Sequence, residues 1–449
     1  MAKMENIYRP EAAEQQKDSG DSSIFEGWLH TLRKGQVGVP LASGDGVWVN
    51  MAAVDRELPN SRDEIPIPKH SGEASSSPFW KSWRAAMEAE IYENLKIGIG
   101  LIEKNPDEAR GHTLINTTWV YSTKLKDGST VFKARLTARG DQEDPANINN
   151  DHRASPTADQ DSIRLILAEL ANMPGAKLIS FDFVRAYLQA RMPKDAKPIF
   201  FRVPAGFGKE FPEKVFLLGV NLYGLVEAAY RWYMELCSGM KELGWIRGNI
   251  DSCVWHKDTP SGPIYVAVHV DDGVMGGFEV PENMAALAAR YKMTVLENPK
   301  ELLGCQLEIA EENHGLMGLH QTDYIIRVLN KWENHPELPM PTEGIAINPK
   351  RWPYNIHLDL RNANGEKTED DLPCWKSLAG DLQWINTRPE ISYIVKELAR
   401  ASGHVTENHK LAAHELLKYL RTFPSVCLTY GAHPWFPSPH YNRRFGTWL

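Results

Sequence analysis

The sequence contains no apolar run approaching the roughly twenty residues that a bilayer-spanning helix requires. Its opening stretch, MAKMENIYRPEAAEQQKDSG, is polar and lacks the apolar segment of a secretory leader. An intracellular chain with no membrane partner is therefore expected. Cysteine is scarce: Cys237, Cys253, Cys305, Cys374 and Cys427 lie far apart. That spacing excludes a zinc knuckle or a disulfide framework and leaves buried, reduced thiols. An excess of positive charge is missing too, because the net charge is −8. Any nucleic-acid contact must then use a local groove rather than a basic coat. Finally, no Asp or Glu occurs after Glu415.

What is present suffices for a core, since 42% of the 449 residues are hydrophobic and 10% aromatic. Residues 1–77 are rich in Ser, Gly, Pro and charge and read as a flexible, disordered linker. Within it, Asp18-Ser19-Gly20 has the form of an aspartic protease triplet, but its flanks QQK and DSS are too polar for the strands such a site needs. Asn116-Thr117-Thr118 fits a glycosylation acceptor, which carries no meaning without a secretory signal.

From Pro78 the pattern changes. Trp83, Met87, Ile91 and Leu95 recur at helical spacing. The segment WVYSTKLKDGSTVFKARLTARG alternates around Asp127-Gly128 and reads as a hairpin bearing Lys124, Lys126, Lys133, Arg135 and Arg139. Such a row is also what a solvated strand face looks like. SIRLILAELANM reads as a helix and KLISFDFVRAYLQ as a strand entering a turn or helix. A Pro- and Gly-marked section precedes a further helix, EAAYRWYMELCSGMKELG; PIYVAVHVDDGVMGGF then reads as a tight hairpin. Irregular alternation of strands and helices predicts an α+β fold rather than a doubly wound parallel sheet. Beyond about Met340 the helical patterns SLAGDLQWI and NHKLAAHELLKYLRTF predict a mainly helical C-terminal region.

Asp271 and Asp272 sit at the tip of the second hairpin, with Gly273 expected to supply a permissive backbone. An acidic-glycine turn is a common surface feature. Two neighbouring carboxylates between apolar strands also repel, and a divalent cation offsets that repulsion. Asp182 lies in a second apolar strand, where it also reads as a strand-end cap for the adjoining helix. Brought together, Asp182, Asp271 and Asp272 would hold two Mg²⁺ ions about 4 Å apart and support phosphoryl transfer without a histidine base. Tyr187 reads either as a core tyrosine or as an aromatic wall against a nucleotide sugar.

These segments resemble copia-type retrotransposon reverse transcriptases. WKSWRAAMEAEI is similar to the opening helix of that family, and Lys133-Ala134-Arg135-Leu136 with Ala138-Arg139-Gly140 to its basic strand. Ser155-Pro156, Ser162-Ile163-Arg164 and Phe181-Asp182-Phe183 come next in order. So do Pro204-Ala205-Gly206-Phe207, Leu222-Tyr223-Gly224-Leu225, Arg231-Trp232-Tyr233, Val270-Asp271-Asp272, Leu303-Gly304 and Asn386-Thr387-Arg388-Pro389-Glu390-Ile391-Ser392. Each piece is short; their collinearity over residues 78–430 carries the resemblance. It implies a right-hand polymerase: fingers and palm over 78–325, and a thumb- or connection-like helical region over 326–449, cut before RNase H. It implies RNA-directed DNA polymerisation with two Mg²⁺ ions on Asp182, Asp271 and Asp272. Lys133, Arg135, Tyr187 and Gly224 would bind substrate, namely deoxynucleoside triphosphates and an RNA or DNA template-primer. It places the chain in the cytoplasm, in a virus-like particle, or in the nucleus.

Leu225-Val226-Glu227-Ala228-Ala229-Tyr230 departs from the family's Leu-Lys-Gln-Ala-Pro-Arg, exchanging two positive charges for none and adding an anion. The alternative this implies is an inactive relic that keeps the fold and at most binds nucleic acid. The tail without carboxylates implies no RNase H activity.

Overall fold

The computed structural model describes residues 65–96, 100–126, 129–309, 317–332, 335, 336, 338 and 374–431. Helix α1 (Trp80–Lys96) and the hairpin β1 (Thr117–Lys126) and β2 (Ser129–Ala138) form the first layer. Trp83, Met87 and Ile91 are fully buried at helical spacing, and Trp119, Tyr121, Phe132, Ala134 and Leu136 form the inner face of the hairpin. Trp83 meets Phe132 edge-on at 4.6 Å between ring centroids and Tyr121 at 5.3 Å. Burying one face of an alternating strand pair leaves the other face to solvent, and Lys124, Lys133 and Arg135 stand on it. The pairing of Lys126 with Ser129 puts Asp127 and Gly128 between the strands; both fall outside the described residues.

Order reaches further back than composition suggests. Ser71–Ser76 is a short helix inside the stretch read as linker, with Ala74 buried, and Ile65 joins the first core. Their apolar side chains join a core whose other members lie beyond residue 78, which the composition of 1–77 does not reveal. The Pro- and Gly-marked section likewise holds two strands, Ile199–Arg202 and Val215–Leu218. They form a four-stranded sheet with Leu101–Lys104 and Thr113–Ile115.

The centre is a six-stranded, wholly antiparallel sheet. Its strands are β3 (Lys177–Phe183), β4 (Ile246–Arg247), β5 (Val254–Thr259), β6 (Gly262–His269), β7 (Asp272–Gly277) and β8 (Met293–Glu297), in the order β8-β3-β7-β6-β5-β4. Helix α2 (Gln160–Ala171) packs on one face with Leu178, Ala267 and Val274. Helices α3 (Ala228–Glu242) and α4 (Val280–Arg290) pack on the other with Ile179, Phe181, Phe183, Val266 and Met275. Adjacent residues of one strand thus serve opposite cores, as a sheet covered on both faces requires.

The C-terminal region is mainly helical: α5 (Thr322–Trp332), α6 (Trp375–Gln383), α7 (Ser392–Arg400) and α8 (Glu407–Thr422) share one core. It also contains a strand that sequence patterning misses, Leu428–Tyr430, which pairs with Met317–Leu319. The boundary expected at residues 325 and 326 falls within α5.

Candidate functional site

His269 pairs directly with Asp272, so Val270 and Asp271 alone make the turn between β6 and β7. Val270 has φ +65°. A β-branched residue in the left-handed region costs about 1–3 kcal/mol. The permissive-backbone role expected of Gly273 is therefore wrong: Gly273 lies within β7 and has no positive φ. Its smallness is needed because a Cβ would be driven into the ring of Phe181, with the Ala267 carbonyl at 3.0 Å.

Asp272 lies directly opposite Asp182 across the β3–β7 ladder. Cross-strand partners share a face with Cβ atoms about 4.5–5.5 Å apart, and like charges there repel. The Asp271 carbonyl accepts the Phe183 N–H at 2.7 Å, tying the turn to the residue after Asp182. The structure thus brings together all three aspartates singled out in the sequence. Burial, then the charges of Asp272 and Asp271, push the Asp182 carboxyl up to about 6. Crowding by protein first, and Asp271 second, also raise the Asp272 carboxyl, although its residue reaches solvent.

Among the described residues no set of three or more His, Cys, Asp or Glu side chains stands as a finished metal site. The donor chemistry still fits a hard divalent cation: three carboxylates on paired strands, two of them partly desolvated, repelling one another for want of a counter-charge.

The sign of these shifts sets a pH dependence. A carboxyl whose folded pKa lies above its unfolded value destabilises the fold as it ionises, so the unfavourable contribution of Asp182 fades as pH falls through about 6. In EDTA at about pH 7.5, Asp182→Asn should melt higher than wild type, with the difference shrinking toward about pH 5. Thermal melts across that range check it; a lower melting temperature for the variant at the higher pH would contradict the repulsion between these carboxylates.

Lys133 and Arg135 stand on the exposed face of β2. Desolvation, then the charges of Lys124, Arg135 and Arg185, hold the Lys133 amine below its usual range, and Asp182 opposes them. The basic face of the hairpin and the carboxylates therefore lie within each other's field. The Arg135 guanidinium sits 5.5 Å over the Tyr223 ring, and Tyr223 packs against Tyr187 at 4.8 Å. Burial, with the charge of Asp271 second, raises the Tyr187 hydroxyl above its ordinary range.

Sequence patterning does not single out Arg185. It has φ +55°, donates from Nη2 to Glu90 Oε2 at 2.7 Å, and has its Nη1 buried with no partner. Nothing in its local pattern marks it; only the fold brings its charge to Lys133.

Gly224 packs against the hairpin. Its φ is +90°, and a Cβ would overlap the Ala138 carbonyl and meet Thr137 Cγ2 at 2.5 Å. The Tyr223 carbonyl accepts the Ala138 N–H at 2.7 Å. The glycine thus lets this loop seat against the backbone of β2.

Glu227, the added anion of the departing stretch, is buried and ion-paired. It accepts from Arg231 Nη2 at 2.6 Å and from the Asn149 N–H at 2.7 Å, and His152 stacks on Tyr230 at 4.0 Å beside it. The Arg231 guanidinium thus supplies the counter-charge for this carboxylate. The substituted stretch is built into the packing of α3 against the 149–152 loop.

Residues 102–342, more than half of the chain, match the family described as reverse transcriptase (RNA-dependent DNA polymerase). The chain is 28% identical over 352 residues to the retrovirus-related Pol polyprotein from transposon RE1 of Arabidopsis thaliana, covering 76% of this chain and 22% of that protein. It is 27% identical over 379 residues to the corresponding polyprotein from transposon TNT 1-94 of Nicotiana tabacum, covering 81% and 27%. The putative transposon Ty5-1 protein YCL074W of Saccharomyces cerevisiae is 29% identical over 258 residues, covering 56% of this chain and 78% of that one. The chain thus spans about a fifth to a quarter of the longer relatives. A foamy viral protease-reverse transcriptase solved in complex with dsDNA aligns with TM-score 0.40 and 16% identity, covering 90% of this chain and 69% of that one.

Proposed function

Because the chain belongs to the reverse transcriptase (RNA-dependent DNA polymerase) family, as the domain found in copia-type retrotransposon polyproteins, we propose that it extends a DNA primer on an RNA or DNA template from deoxynucleoside triphosphates. The observation that carries this reading is the register placing Asp182 opposite Asp272, with Asp271 at the adjoining turn, within the field of the basic hairpin face.

Asp182, Asp271 and Asp272 would hold the divalent cations, Mg²⁺ in the first place. Such ions, when bound, neutralise charge on the transferring phosphoryl group and activate the attacking hydroxyl. Lys133 and Arg135 would receive the triphosphate, Arg through its planar fork and Lys as a point charge. Desolvation keeps Lys133 responsive to an arriving anion, and Arg135 is steadied by the Tyr223 ring. Glu90 would hold the Arg185 guanidinium, so that its positive charge stands beside Lys133 when the triphosphate arrives. In this reading α1 and the β1–β2 hairpin are the fingers, the six-stranded sheet the palm, and helices α5–α8 the thumb or connection. The work is intracellular.

The test is primer extension on poly(rA) with dTTP and Mg²⁺. Extension establishes a working polymerase; its absence in a folded protein, beside a working control enzyme, would overturn the reading in favour of a silent relic.

Tyr187 would be the wall that excludes a ribose 2′-hydroxyl. Removing the ring opens the space beside Tyr223. Tyr187→Ala should therefore lower discrimination against ribonucleotides by about tenfold or more, read as the ratio of kcat/KM for dTTP and UTP. An unchanged ratio removes Tyr187 from the sugar contact.

A further inference from the structure

We infer that Trp232 is a positioning residue that holds the catalytic turn in its strained form; the inference rests on the polymerase reading of the aspartate cluster. Trp232 is 1% exposed and lies on α3, behind the sheet. Its Nε1–H donates to the Val270 carbonyl at 2.8 Å. Its ring meets Phe183 edge-on at 5.0 Å and Tyr291 at 5.6 Å. One side chain therefore touches both segments that carry the carboxylates: the residue before Asp271 and the residue after Asp182.

These contacts close a loop. The Phe183 N–H donates to the Asp271 carbonyl at 2.7 Å, and the Phe183 ring rests on the indole whose N–H holds Val270. Val270 has φ +65°, a conformation a valine leaves when unconstrained. Tyr291 anchors the far side through its hydroxyl, which donates to the Glu235 carbonyl one helical turn beyond Trp232 at 3.0 Å. Without the indole N–H, nothing else among the hydrogen bonds of the described residues fixes the Val270 carbonyl. The turn then relaxes toward negative φ and carries Asp271 with it, while β3 and β7 stay paired.

The decisive comparison uses Trp232→Phe, which keeps an aromatic ring but removes the donor, and the same variant carrying Val270→Gly. Glycine adopts positive φ without strain, so the turn persists without its tether. In single-turnover primer extension Trp232→Phe should lower the maximal rate by about tenfold, with KM for dTTP changed by less than about twofold. The added Val270→Gly should recover most of the rate. In parallel, hydrogen exchange should rise in peptides spanning 177–186 and 264–277 of Trp232→Phe, fall back in the double variant, and stay constant in β1–β2. Wild-type rate in Trp232→Phe, or no recovery with glycine, overturns the role. Exchange rising equally throughout the molecule also overturns it, because Trp232 is then ordinary core. If wild type itself extends no primer, the polymerase reading falls, and the exchange contrast alone decides whether the tether exists.

Discussion

Replacing both turn aspartates, Asp271→Asn with Asp272→Asn, should lower primer extension by about 10³-fold or more, the scale on which removing a preorganised electrostatic contact acts. The same protein should melt no lower than wild type in EDTA. Burial and Asp271 already hold the Asp272 carboxyl above its ordinary range, and neutralising the pair removes a repulsion. Template-primer should bind at least as well, since two negative charges leave the site proposed to receive phosphates. Extension within a few-fold of wild type would remove these residues from the chemistry. Lost extension together with a collapsed melt would mean only that the turn is structural.

Gly224→Ala should cost about 2–4 kcal/mol of stability, through strain at positive φ together with backbone overlap. The methyl group would be forced into the Ala138 carbonyl, and that segment cannot yield easily because the Ala138 N–H is bonded to Tyr223. Gly175→Ala is the control: its φ is +84° but nothing stands within 4 Å of the added Cβ. It should cost only about 1 kcal/mol. Urea denaturation of the two variants reads the difference directly. A stable Gly224→Ala protein with a raised KM for dTTP would instead return Gly224 to the nucleotide contact expected from the sequence.

The carboxylate cluster was legible because two strands announce themselves. KLISFDF is mostly apolar and PIYVAVHV is apolar and rich in β-branched residues, with acidic residues only near the end of the first and directly after the second. Helices α1, α2, α3, α6 and α8 were legible for the parallel reason of period. The strands at 199–202 and 215–218 were not, because IFFR and VFLL are mostly buried on both faces and show no alternation. The Leu428–Tyr430 strand is defined by a partner more than a hundred residues away. Gly273 is legible as a special position but not for its reason, since Phe181 demands smallness there rather than backbone freedom, and the close approach of Gly224 to β2 is a long-range contact that its local sequence does not show. Glu227 looked like a misplaced charge because its partner Arg231 and the Asn149 amide converge only in three dimensions.

The face-to-face placement of Asp182 and Asp272 depends on parity. Side chains alternate along a strand, so inserting or deleting one residue within β3 or β7 would send one of the two aspartates to the opposite core. Substitutions leave that parity untouched; length changes do not. The sheet therefore tolerates wide divergence in composition while its strand lengths remain fixed. Insertions compatible with a retained site should fall in the connections, such as the approach to α2, and be excluded from the residues between Lys177 and Phe183 and between Gly262 and Gly277.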